Sequence, residues 1–210
     1  MSQSKIEKTI QPEILPSTEL VLEKTRLETI LAIRPTAVLL QDTLKVLGSV
    51  VDSARLSDIL FVAQECGVIE GKPQRGEIYN FSPFGPEGLR PVSGELEYDL
   101  VLLDRYQVIN RSDNGEVSWR LGKEGLSEEE LDLTPLGVIK KPTLLKKVAQ
   151  IAPDQLRKMA KLLIIRKAAE NDEEFFEMAS KSLYFIGEDE KLKLMIKLAE
   201  IVTQARQESV

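Results

Sequence analysis

A chain of 210 residues, 42% hydrophobic and 30% charged, reads as a soluble globular protein long enough to bury a core without staples. The lack of histidine and the single cysteine, Cys66, exclude a Ser-His-Asp or Cys-His triad, an imidazole zinc site and an internal disulfide. The net charge of −6 is unevenly spread: between Thr134 and Ala169 nine bases face one acid, Asp154, so that stretch carries +8 and the rest of the chain −14.

No apolar run is long enough to span a bilayer, and the N-terminus has no signal-peptide core. The expectation is a cytoplasmic protein without membrane contact. P-loop, GxGxxG and calcium-loop spacings are missing from the sequence, and no nucleophile has a base beside it in a recognisable motif. No metal, cofactor or catalytic residue is therefore expected, and the acidic run Glu128-Glu129-Glu130 reads as a solvated face.

Residues 1–17 are polar, carry Pro12 and Pro16, and read as a flexible tail. Ser17 or Thr18 caps a predicted helix to about Arg34, stopped by Pro35. Leu20, Leu27, Ile30 and Leu31 form one stripe on it, while Val21, Leu22 and Ile33 fall off it. Such a helix packs on more than one surface, within the chain or with a second copy. Thr36 caps the next helix, which ends near Gly48 with Ala37, Leu40, Leu44 and Leu47 as its core stripe. Asp52 or Ser53 opens another, closed by Gly67, with Leu56, Ile59, Leu60, Ala63 and Cys66 inward.

Residues 68–92 are rich in glycine and proline and too long for an ordinary turn, with a short strand expected around Tyr79-Asn80-Phe81. Ser93 caps a helix to Arg105, with Glu95 and Glu97 in its first turn. Val108-Ile109 and Val117 to Leu121 flank Asp113-Asn114-Gly115, a strong hairpin signal, and Trp119 is expected to pack that hairpin onto the helices. From Ser127 the pattern is helical: Thr143 to Ile151; Pro153 to Ala169 with Leu156, Met159, Ala160 and Leu163 inward; a helix opened by Asn171 and Glu174; and Glu188 to Gln204. Helix, helix, helix and hairpin in this order predict a winged helix-turn-helix core. The fold class is mainly α with a small β-hairpin, with a tail (1–17), a winged-helix domain with an N-terminal helix (18–126) and a C-terminal helical region (127–210).

The run Arg55-Leu56-Ser57-Asp58-Ile59-Leu60-Phe61, followed by Tyr79-Asn80-Phe81-Ser82-Pro83-Phe84-Gly85-Pro86, resembles YwgA-like prokaryotic winged-helix proteins and, more distantly, Panacea-type antitoxin domains. In that group an Arg-x-x-Leu-type helix start precedes an aromatic Y-x-F-x-P-Y-x-Y-G-P segment, a leucine-rich helix and a wing. Leu96, Leu100, Leu103 and the Val108-Ile109 exit follow that order over roughly residues 50–125, although one residue is missing from the aromatic spacing. The resemblance implies a non-catalytic regulator or interaction module and carries over no catalytic residue.

At 100° per residue, Leu96, Leu100 and Leu103 share one side of the helix over 93–105. Tyr98, Val101, Leu102 and Arg105 take the opposite side, with Glu95, Glu97, Asp99 and Asp104 between. A DNA-reading helix should offer Arg, Lys, Asn or Gln there, and four carboxylates repel phosphate. That apolar face is either covered by other helices or is a dimer or protein interface. Tyr79, Phe81 and Phe84 either anchor the long loop or line a peptide groove.

The nucleic-acid candidates are Lys140, Lys141, Lys146, Lys147, Arg157, Lys158 and Lys161, with Arg111 and Arg120 on the hairpin. Eight acids against Lys181 between Glu170 and Glu190 offer an alternative, in which the basic stretch is paired internally. Two functions follow: a regulator associated with duplex DNA through the wing and the basic segment, or a protein-interaction module with an acidic protein or a second copy as partner.

Overall fold

The computed structural model describes residues 26, 29, 34–50, 52–72, 77–85, 88–106, 108–113, 117–121, 139–171, 173–183 and 186–208. The expectations of a tail over 1–17 and of the acidic run at 128–130 lie outside them. Of the predicted helix over 18–34, Arg26 and Thr29 are helical and exposed, and the remainder up to 33 lies outside.

Helix α1 is Pro35–Leu47. Thr36 was expected to cap this helix. Instead Pro35 is the first helical residue, where its fixed φ fits and its missing N–H costs nothing. Gly48 ends the helix at φ +81°, donating its N–H to Leu44 O at 2.7 Å. The short strand β1 (Ser49–Val50) follows. In α2 (Ser53–Glu65) the Asp52 carboxylate accepts the Arg55 N–H, as an N-cap should. Past the helix end, Gly67 at φ +72° reverses the chain, so that Val68 and Ile69 both donate to Ala63 O.

The long segment before α3 is not a featureless insertion. Strands β2 (Ser82–Gly85) and β3 (Gly88–Val92) form an antiparallel hairpin, with Phe84 opposite Leu89 and a bulge between Ser82 and Phe84. The strand expected at Tyr79–Phe81 starts later, for a local reason. The Gln64 side chain takes both backbone groups of Tyr79, accepting its N–H at 3.3 Å and donating to its carbonyl at 3.0 Å. No strand partner is then needed there.

Helix α3 (Gly94–Arg105) is capped by Ser93, whose Oγ accepts the Leu96 N–H at 3.4 Å. Strands β4 (Ile109–Asp113) and β5 (Val117–Leu121) pair antiparallel, from Ile109 opposite Leu121 to Asp113 opposite Val117. β1 adds to the other edge of β5, with Val50 opposite Trp119, so the sheet order is β1-β5-β4. The expected packing of the Trp119 side chain lies outside the described groups.

The C-terminal helices are α4 (Pro142–Ala149), α5 (Pro153–Asn171), α6 (Glu173–Ser180) with a 3₁₀ turn at Lys181–Leu183, and α7 (Glu188–Gln207). Pro142, not a Thr143 cap, opens α4, by the logic of Pro35. The expected capping pair Asn171 and Glu174 has side chains outside the described groups, and Asn171 itself closes α5. These helices do not stand apart. α5 packs on α2 and β3 as well as on α6 and α7, and α4 packs on α1 and α2. Leu156, Met159, Ala160 and Leu163 of α5 are buried in the same cluster as Leu40 and Leu44 of α1 and Leu96 and Leu100 of α3. The described residues therefore form a mostly helical fold with small antiparallel hairpins around a shared core. Among them, no helix is long and apolar enough to cross a membrane.

Candidate interaction surfaces

The buried arc of α3 is wider than its three leucines. Leu96, Leu100 and Leu103 are inside as expected, and so are Asp99, fully buried, and Leu102. Leu102 is thus removed from the outward face on which helical geometry alone had set it, although it lies outside the core cluster that holds Leu96, Leu100 and Leu103. Asp99 is likewise no solvated carboxylate. Arg34 Nε donates to Asp99 Oδ1 at 2.8 Å, and the Tyr79 hydroxyl lies 3.1 Å from Asp99 Oδ2 and 2.8 Å from Thr36 O. Burial, and then the charge of Asp99, raise the Tyr79 phenol well above its ordinary range, so it stays protonated and donates.

What remains outward on α3 is Tyr98 at 56% exposure, Val101 at 66%, Arg105, Glu95 and Glu97. The Arg34 guanidinium sits 4.5 Å from the Tyr98 ring centre, so the same arginine holds Asp99 inside and steadies Tyr98 outside. This face is apolar at its centre and mostly acidic at its rim.

The aromatic segment divides. Tyr79 is buried and serves as an anchor rather than a groove wall. Phe81 is half-buried, edge-on to Phe61 at 5.6 Å and to Tyr79 at 6.2 Å. With Phe61, Pro83, Ile164, Ala168 and Phe175 it borders a cavity of about 210 Å³, beside which Lys167 pairs with Glu65 at 2.6 Å. The Phe84 side chain lies outside the described groups.

Most of the basic stretch is engaged. Lys141, proposed for nucleic acid on its sequence position, is buried: its ammonium donates to Gly67 O at 2.9 Å and to Glu70. Pro142 opens α4 immediately after it, which turns position 141 inward under the end of α2. Glu70 also draws Lys140 to 3.5 Å, and these two cations hold its carboxyl below the usual range. Lys158 pairs with Glu190 at 2.6 Å, and Arg166 with Glu170 at 3.4 Å. The acidic stretch 170–190 thus supplies two of the partners, while Asp58, Glu65 and Glu70 supply the others. Lys146 and Lys147 are exposed and Lys161 half-buried; Lys147 lies 3.4 Å from Gln204 Oε1, and none of the three forms an ion pair with a described residue. Arg111 and Arg120 stand opposite Trp119 and Asn110 on β4 and β5, and their side chains fall outside what the structure describes.

One charged cluster had no forecast. Asp58 is buried on the inner side of α2, with Arg90 of β3 at 3.8 Å and Arg157 of α5 at 3.9 Å. Both distances exceed a hydrogen bond, and Asp58 Oδ1 has no hydrogen-bond partner among the described groups. Burial pushes the carboxyl up to about 6, against the pull of the two arginines. Its signal in the sequence was a charged residue inside the apolar run Leu56–Ala63. Cys66 is buried, as its helical position predicted, and burial pushes its thiol up to about 12, so it is inert. Among the described residues, no group of three potential ligands could hold a metal ion.

Comparison of the chain with models of protein families, with curated proteins and with solved structures produced no match.

Proposed function

We propose that the chain is a non-enzymatic regulatory protein built on a winged helix, and that it works by binding protein through the outward face of α3. The order α1, β1, α2, α3, β4, β5 and the sheet order β1-β5-β4 support the winged-helix reading. The β2–β3 hairpin is then an insertion between its second and third helices. The observation that carries the function is the chemistry of α3. Tyr98 and Val101 are outward, with Glu95 and Glu97 beside them and Arg105 the one base. Phosphate is repelled by such a rim, whereas an apolar patch fringed with Lys or Arg on a partner protein fits it.

Exposed Lys146 and Lys147 favour a second reading, association with duplex DNA through that end of α4. Two variants separate the readings: Tyr98→Ala with Val101→Glu, and Lys146→Glu with Lys147→Glu. Under the first reading, a protein captured from nuclease-treated extract is retained by wild type and by the lysine variant but lost by the α3 variant. Steeply salt-dependent binding to a plain duplex, abolished only by the lysine variant, would overturn it in favour of DNA.

A further inference from the structure

Helix α7 is apolar on two sides. Leu194, Leu198, Ile201 and Ala205 are buried in the core. Leu192, Met195, Ile196 and Ala199 recur at i, i+3, i+4 and i+7, which makes a second stripe on the far side of the helix. That stripe faces out, with Leu192 60% exposed, Met195 58% and Ile196 51%, and Ala199 exposed as well. Single exposed apolar side chains are ordinary, but two continuous helical turns of them mark a docking face.

The flank of the stripe indicates what covers it. Lys193 and Glu200 lie two turns apart along the same flank, both exposed, and neither forms an ion pair with a described residue. We infer that α7 is the interface of a two-fold dimer of this chain, with the two helices antiparallel and the axis passing between Ile196 and Lys197.

That axis brings position 193 of one copy to the level of position 200 of the other. Both positions are on the same flank, so Lys193 meets Glu200 twice. The same axis sets Met195, Ile196 and Ala199 of one helix between the levels of their counterparts, with Leu192 just beyond the partner's Ala199, so the two stripes interleave. A parallel pairing turns the flank toward Lys191 and Val202 of the other copy and leaves both charges unmatched. Lys191 is in any case held at 2.6 Å by Glu188 of its own chain. The interface is separate from the α3 face and does not rest on the function proposed for it.

The test is the mass of the full chain in sedimentation, over about 1 to 200 µM, with helix content checked by circular dichroism. Wild type should pass from monomer to dimer. Ile196→Glu should stay monomeric with unchanged helix content, since the site is exposed. Lys193→Glu and Glu200→Lys should each weaken the dimer about tenfold or more, by setting like charges together twice. An equimolar mixture of those two variants should form a heterodimer, because both cross pairs are then opposite in charge. A wild type that stays monomeric throughout would overturn the inference, as would a dimer that survives Ile196→Glu. Charge variants that dimerise like wild type, or that fail to form the heterodimer, would overturn the antiparallel arrangement.

Discussion

Arg34 and Asp99 stand 65 positions apart, yet the Nε and Nη2 atoms of the arginine reach the same carboxylate oxygen at 2.8 and 2.7 Å. The pair joins the start of α1 to the inner side of α3, and Tyr79 closes it from the loop between α2 and β2. The outward face of α3 therefore depends on an inward charge. Removing Asp99 leaves a guanidinium without its counter-charge at a site where Asp99 is fully buried. Asp99→Ala should cost about 3 kcal/mol, the low end for breaking a buried pair, since Arg34 keeps some solvent. Tyr79→Phe should cost about 1 kcal/mol, because the single hydroxyl proton serves one acceptor at a time. Urea denaturation measures both, and equal losses from the two variants would contradict the assigned roles.

Asp58 makes stability depend on pH in the sense opposite to a salt-bridged carboxylate. Its folded value of about 6 lies above the ordinary 3.8. Between those values the folded chain binds more protons than the unfolded one, so stability falls as pH rises through that window. The contribution is fully present below the lower value and lost above the upper one, a change of about 3 kcal/mol. Asp58→Asn cannot titrate. Its stability relative to wild type should rise by that amount between about pH 3 and pH 7, as read from urea midpoints. Parallel pH profiles for the two proteins would show that Asp58 ionises freely in the fold.

Lys141 is held from inside the fold, not offered to solvent, and its partner Glu70 is partly exposed. Glu70→Ala leaves a buried ammonium with Gly67 O alone, whereas Lys141→Met replaces that ammonium with an apolar chain of similar length. The thermal midpoint at neutral pH should drop more for Glu70→Ala than for Lys141→Met. On the acid side, the depressed Glu70 carboxyl supplies stability above its unfolded value and loses it as pH falls through the lower folded one. Lys141→Met should shrink that acid-side loss, leaving the part that Lys140 supplies. A larger drop for Lys141→Met at neutral pH would mean the ammonium contributes chiefly through Gly67.

The elements legible in the sequence are those set by neighbours in the chain. Asp52 and Ser93 cap α2 and α3 with atoms three residues away, and Gly48 and Gly67 end helices through their own backbone freedom. The inward positions Leu96, Leu100 and Leu103 follow from helical period alone. Thr36 and Thr143 were expected as caps, but Pro35 and Pro142 open those helices, because a proline's fixed φ and missing N–H suit the first helical position. The β2–β3 hairpin was missed because its glycines and prolines resemble loop composition, and its pairing is irregular at the bulge.

The sequence by itself determined where most helices start and stop, which face of α3 carries leucine, and that charge is divided between a basic and an acidic stretch. Those are local properties, fixed by backbone conformation and residue period. Only the tertiary structure decided which polar groups are inside. Asp99, Tyr79, Lys141 and Asp58 could each have faced water on helical geometry or composition alone. They are buried because Arg34, Glu70, Arg90 and Arg157 arrive from distant segments to compensate them, and a buried charge is tolerated only where such a partner is in place.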